Sequence, residues 1–361
     1  MNDANELISF IASMSGEGNL RVEENLGEGY VRLRVSEAER RQAKHDIQHV
    51  EDIVIEMLRN ARDAGADKVY LATTKEDGVR TLVFLDNGSG VPQDMQERIF
   101  DARVTSKLES MKMDRWGVHG RGMALFSIKQ NTDEARVVAS DVDLGSVFKV
   151  SVATDRLGER ADQSSWPQAV KDEDGHYVCA RGPHNIIRAA CEFALEELRA
   201  CDVYLGSPSE IAATLHAQAS SHLDASRLLF IDDEAELPVV DRLGLASDAE
   251  DFIRICSGLG LEMSERTAHR ILAGQIKPVR GVTARLLRER DSSSHASAPV
   301  DLAKDRRGLR IAKDDMAQFS RAVERDFNDL ASRYYLNLCG DPKIRVSRDR
   351  IIVTFDLAKE E

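Results

Sequence analysis

The sequence predicts an α+β fold: an α/β sandwich in residues 45–155, a mostly helical region after it, and a small α+β unit at the C-terminal end. Three observations carry that expectation. Between residues 46 and 65 the apolar residues Ile53, Met57, Ala61 and Ala64 recur at spacings of four, four and three, the period of a helix. Directly afterwards the pattern changes to two strands, 68–74 and 81–85, divided by an Asp77-Gly78 turn. Beyond residue 237 helical patterns dominate as far as a Ser-rich stretch at 291–299.

In chain order, residues 1–44 read as an entry segment with a short helix, a strand-like 29–35 and a charged helix at 37–44. The helix 46–65 stops at Gly65. The second strand of the pair runs into Asp86-Asn87-Gly88-Ser89-Gly90, and a helix is expected at 93–100. A glycine-bearing loop then reaches Gly122, followed by a helix at 123–129 and strands at 135–140 and 146–152. The polar, Gly- and Pro-punctuated stretch 155–182 marks a boundary. It opens a connecting region, 156–236, with a helix from Asn185, a strand at 202–205, a Gly206-Ser207-Pro208 turn and a further helix. Residues 237–290 read as wholly helical and 291–300 as a linker. In the last unit, 301–361, Met316, Phe319, Val323, Phe327, Leu330 and Tyr334 form a helical stripe ahead of strands at 343–347 and 350–355.

At 361 residues the chain exceeds the usual single domain, and 42% apolar with 31% charged residues is the balance of a globular protein. A net charge of −13 argues against coating nucleic acid over the whole surface, though not against a local basic patch. Cys179, Cys191, Cys201, Cys256 and Cys339 are scattered without a C-x-x-C pair, so reduced thiols are expected rather than a disulfide framework or zinc site. No apolar run is long enough to cross a bilayer and the N-terminus lacks the basic start of a signal peptide, so the expected compartment is the cytoplasm, with no membrane partner.

Four motifs bear on chemistry. Glu56, Asn60 and Asp63 project from one side of the first long helix, placing a carboxylate and a carboxamide one turn apart. That pairing suits phosphoryl chemistry: the amide oxygen ligates Mg²⁺ and Glu56 deprotonates a water. Asp86, at a strand end ahead of Gly88 and Gly90, is placed to accept a hydrogen bond from an exocyclic amine, where the glycines admit a flat ring. Gly117-Val118-His119-Gly120-Arg121-Gly122 opens the helix at Met123, offering amides and a helix dipole to a polyphosphate. Thr105-Ser106-Lys107 adds hydroxyls and a cation. Each motif alone also fits a solvated helix face or an ordinary turn.

In their order and spacing these motifs resemble the GHKL ATPase superfamily over residues 46–151. Residues 56–66 resemble its N box, residues 86–90 the following box, and residues 117–122 the lid glycines. Asn60 with Asp63-Ala64-Gly65-Ala66, and Thr105-Ser106-Lys107, are similar to MutL. The lid ending in Gly122-Met123 is similar to the topoisomerase VI B subunit, and Arg98-Ile99-Phe100 resembles the F-box of histidine kinases. The resemblance implies a Bergerat-type sandwich and ATP with Mg²⁺ as cofactors. It also implies Glu56 as general base, Asn60 as Mg²⁺ ligand, Asp86 as the adenine-reading acid and Lys107 as a phosphate contact. His119 and Arg121 depart from it by placing two potential cations in the lid.

The resemblance further implies ATP hydrolysis that closes the lid and drives a conformational or dimerisation switch acting on DNA or a protein client. A sensor kinase is disfavoured, because the roughly 45 residues ahead of the N-box helix leave no room for a phosphoacceptor hairpin, though a protein kinase stays a third reading. A transducer-type lysine has one candidate, Lys277. Residues 249–273 resemble a helix-turn-helix, and residues 263–290 hold seven lysines and arginines against two acids. Arg266, Arg270, Lys277 and Arg280 there are the candidates for meeting DNA phosphates, which would make a nucleotide-sensing, DNA-binding regulator the alternative function.

Overall fold

A computed structural model of the chain describes residues 22–106, 112–119, 122–198, 200–223, 233–287, 313–331, 336–338, 340, 342–346 and 351–359. The chain divides into two compact units, 1–291 and 292–361, each taken here by itself.

The first unit opens with a hairpin of β1 (Val22–Gly27) and β2 (Tyr30–Leu33), then helix α1 (Glu37–Asp46). A capping box starts α1: the Ser36 hydroxyl accepts from the Glu39 amide, and the Glu39 carboxylate accepts from the Ser36 amide at 2.8 Å. Helix α2 (Val50–Asp63) buries Ile53, Met57 and Ala61 as their period predicts, and the chain turns after it at Gly65, φ +76°. Strands β3 (Lys68–Glu76) and β4 (Val79–Asp86) meet at Asp77 and Gly78, whose φ values of +48° and +81° are those of a type I′ turn.

The helix expected at 93–100 is two separate 3₁₀ turns, Gln93–Met95 and Arg98–Phe100. So short a segment cannot sustain an α-helix on its own, and burial of Met95, Ile99 and Phe100 dictates its path. The glycine-bearing loop contains β5 (Val104–Thr105), which pairs with β2, and a small hairpin of β6 (Lys112–Asp114) and β7 (Gly117–His119). Helix α3 (Ala124–Asn131) and strands β8 (Glu134–Ser140) and β9 (Ser146–Ala153) follow. The polar stretch after them carries a further hairpin, β10 (Gln168–Lys171) with β11 (Tyr177–Arg181).

Asn185 caps α4 (Ile186–Glu196), which leads to β12 (Asp202–Gly206) and α5 (Pro208–His222). The described part of 237–290 is not wholly helical. Its helical segments are the 3₁₀ turn Arg242–Leu245, α6 (Ala249–Gly258), α7 (Glu265–Leu272) and residues 282–287; Gly260, Gly274 and Pro278 lie in the breaks.

The main sheet has the order β12-β3-β4-β9-β8, with β12 parallel to β3 and the other pairs antiparallel. Alternation along its central strands feeds two cores. Val69, Leu71, Leu82 and Phe84 pack with Ile53 and Leu58 of α2 on one face. Tyr70, Ala72, Val83 and Leu85 pack with Ile211, Leu215 and Phe252 on the other. Strands covered on both faces read as continuous apolar runs, as 69–72 and 82–85 do. The sandwich is thus backed by a second helical layer of α5, α6 and α7.

The described residues of the second unit form α8 (Lys313–Ala331) and two antiparallel pairs, β13 (Leu336–Leu338) with β16 (Leu357–Lys359) and β14 (Lys343–Val346) with β15 (Ile351–Thr354). Phe327 of the expected stripe stacks on Phe355 at 4.0 Å. Phe319 and Leu330 are exposed, and Tyr334 lies outside the described residues. No helix among the described residues is long and apolar enough to cross a membrane.

Candidate functional site

On the α2 side of the sheet a cavity of about 500 Å³ opens between α2, the end of β4, α1, β5 and the start of α3. That volume suits a small-molecule ligand. Glu56, Asn60 and Asp63 line it from α2, as their one-turn spacing requires. Asp86 lines it from the end of β4, only 3% exposed, and its Oδ1 accepts from the Gly88 amide at 2.9 Å. Gly90 lies on the lining with φ +71°, and a Cβ there would fall 1.7 Å from the Asp141 carbonyl oxygen. Gly122, φ +67°, closes the lid-side wall; a Cβ would fall 2.8 Å from the Val104 carbonyl oxygen.

Thr105, Ser106 and Met123 also line the cavity, so motifs widely separated in sequence meet at one place. Gly88 serves it through the amide bonded to Asp86. Gly117, Val118 and His119 form β7, while Lys107, Gly120 and Arg121 lie outside the described residues. Arg266 and Arg270 sit exposed on α7, with Lys277 and Arg280 exposed just beyond it, in the layer on the other face of the sheet. The four described cysteines are buried, and burial pushes the thiols of Cys201 and Cys256 up to about 12, which disfavours their reactive thiolate forms.

The structure adds residues that no local pattern marked. Arg59 and Arg62 of α2 converge on Asp114, at the end of β6. Arg59 donates to both oxygens of Asp114, from Nε and Nη2 at 2.9 Å each, and from Nη1 to Glu56 Oε1 at 2.7 Å. Arg62 donates from Nη1 to Asp114 at 3.0 Å and to Glu197 at 3.1 Å, and from Nε to Asp63 at 2.9 Å. Burial opposes the charged form of Asp114, but the Arg62 bond and the Arg59 charge outweigh it and hold its carboxyl below the usual range. Burial likewise opposes the Arg62 charge, and Asp63, Asp114 and Glu197 reverse that.

The next residues pin the same hairpin to α4. The Trp116 amide donates to Asp114 Oδ1 at 3.0 Å, its ring stacks on Phe193 at 6.3 Å, and Arg115 lies 3.7 Å from Glu192. From the far side, α1 contributes Glu39 and Asp46 to the cavity. Glu39 pairs with Arg103, a non-glycine residue at φ +63° whose amide donates to the Gly122 carbonyl at 2.8 Å. Arg103 Nε is buried with no partner among the described residues.

Among the described residues the cavity wall therefore carries Glu39, Asp46, Glu56, Asp63 and Asp86 against Arg59 and Arg103. Both arginines are already paired with carboxylates. Mg²⁺ would offset this acidic wall for a polyphosphate, and the side-chain oxygen of Asn60 is a hard donor of the kind that ion takes, with the Asp63 carboxylate one turn further along α2. The residues present fit that ion.

Residues 47–140 match the sequence profile of the family described as histidine kinase-, DNA gyrase B-, and HSP90-like ATPase. This domain belongs to the GHKL ATPase superfamily. The matched segment ends with β8, so the sheet strands β9 and β12, and α4 packed against α2, come from outside it. The DNA mismatch repair proteins MutL of Staphylococcus aureus strains Newman and JH1 are each 28% identical over 136 residues, covering 35% of this chain. The match spans about a fifth of the length of those relatives.

Proposed function

We propose that the chain binds ATP with Mg²⁺ in the α2–β4 cavity and hydrolyses it. The observation that carries this reading is Glu56 and Asn60, one turn apart on α2, facing the same cavity as Asp86. In it Asp86 accepts a hydrogen bond from the adenine amine beside Gly88 and Gly90. Thr105, Ser106, Lys107 and the lid residues Gly117–Met123 enclose the phosphates. Asn60 would hold Mg²⁺. Bound Mg²⁺ supplies charge neutralisation at the phosphates. Glu56 accepts the proton of the attacking water, and the walls of α1 and α3 exclude bulk solvent.

Lid closure on ATP then changes a dimer or partner surface, and the client is DNA or a protein. DNA is favoured by the exposed Arg266, Arg270, Lys277 and Arg280, a basic face on a chain of net charge −13. MutL, to which this chain is similar over 136 residues, is named for DNA mismatch repair.

Steady-state ATP hydrolysis with Mg²⁺ tests the core of this reading. Glu56→Ala is expected to lose at least about 100-fold in kcat while still binding ATP, and Asn60→Ala to lose Mg²⁺-dependent binding. Turnover undiminished in Glu56→Ala would reject Glu56 as the base.

A further inference from the structure

Glu56 does not stand alone on α2. Glu56, Arg59 and Arg62 are spaced by three, so they stack along one face of the helix, and Asp114 of the β6–β7 hairpin docks on that face. The side chain of Arg59 is 3% exposed and that of Asp114 5%. A guanidinium is planar, so the two bonds to Asp114 fix both its position and its plane, and Nη1 then meets Glu56 Oε1 in one geometry. Asp114 is in turn fixed by Arg62 and by the Trp116 amide. A chain of short charged bonds therefore runs from the hairpin that carries Gly117 to the carboxylate on the cavity wall.

We propose that Arg59 is a positioning residue: with Asp114 docked, it orients the Glu56 carboxylate toward the cavity, so that Glu56 is set for proton transfer only while the hairpin is seated. This rests on the reading of Glu56 as the base. The pairing departs from a simple helix salt bridge because its geometry is imposed by a residue 55 positions away. A buried fork of this kind is retained at a cost in desolvation, and a half-broken one costs more. A general base gains rate from geometry first and basicity second, which is the property Arg59 controls.

The experiment compares kcat and ATP affinity of the full chain for Arg59→Gln, Arg59→Lys and Asp114→Asn. Arg59→Gln and Asp114→Asn are expected to lower kcat about tenfold while ATP affinity changes less than about threefold. Arg59→Lys should recover part of the rate, because it restores the charge but not the fork. The double variant Arg59→Gln/Asp114→Asn should fall no further than either single one. Melting curves and binding of a fluorescent ATP analogue identify any variant that fails to fold, and Arg59→Lys then carries the test.

Unchanged or increased kcat in a folded Arg59→Gln or Asp114→Asn, with turnover abolished in Glu56→Ala, overturns the positioning role and leaves the base reading standing. Full activity in Glu56→Ala, or no turnover in a wild type that binds ATP, overturns both.

Discussion

A single methyl group measures how tightly the cavity floor is built. Gly90 combines a left-handed backbone with a Cβ position 1.7 Å from the Asp141 carbonyl oxygen, so alanine there must displace backbone rather than a side chain. Gly90→Ala is expected to weaken ATP binding by at least about tenfold and to lower the melting temperature, measured by calorimetry and nucleotide titration. Asp114 answers to pH instead. Its folded carboxyl lies below the ordinary value, so the stability it contributes is fully present above the unfolded value near 3.9 and is lost as pH falls through the lower folded one. The gap in melting temperature between the wild type and Asp114→Asn should therefore stay constant from about pH 5 to 8 and close only below about pH 4. A gap that changes across pH 5 to 8 would show that Asp114 is not held ionised by its arginines.

Elements answer to packing. Phe252 of α6 is fully buried in the core behind β4, among Val83 and Leu85, on the face away from the cavity. Phe252→Ala is expected to cost about 3–5 kcal/mol in urea unfolding, while ATP affinity of the folded fraction changes less than about threefold. A large loss of affinity in a fully folded Phe252→Ala would show that the second helical layer sets the shape of the cavity.

What the sequence reveals about these elements follows the range of the interactions. The period of α2, the Asp77-Gly78 turn and the placement of Asp86 are short-range and legible. An amphipathic helix does not name the surface it will cover, so the seat of α5, α6 and α7 on the sheet is not. The apolar runs 69–72 and 82–85 were the available signal, since strands covered on one face alternate instead. The same limit hides the ion cluster. Asp114 lies more than fifty positions from both arginines, and in sequence Arg59 and Arg62 look like ordinary charges on a solvated helix face. Glu39 and Asp46 reach the cavity because β2 pairs with β5, a long-range contact that folds α1 over the site.

At the scale of the whole molecule, charge is the quantity that separates one client from another. Arg266, Arg270, Lys277 and Arg280 are exposed together in a chain whose acids outnumber its bases, so phosphate contacts made there should be sharply dependent on salt. If all four meet a duplex, the logarithm of affinity should fall with the logarithm of salt at a slope of about −3.6, and Arg266→Ala/Arg270→Ala should flatten it by about 2. Binding that ignores salt, or that survives the double substitution, would assign the client to protein.

The parallel strand at the sheet's edge has its own consequence. β12 occupies the open side of β3 from Asp202 to Gly206, and it comes from well beyond the segment that matches the superfamily. A protein cut back to that segment would bare a row of unpaired amides and carbonyls along β3, next to a sheet face stripped of Phe252 and Ile211. Such an edge recruits strands from other copies. The matched segment alone is therefore expected to self-associate, which size-exclusion chromatography of residues 47–140 beside the full chain would check.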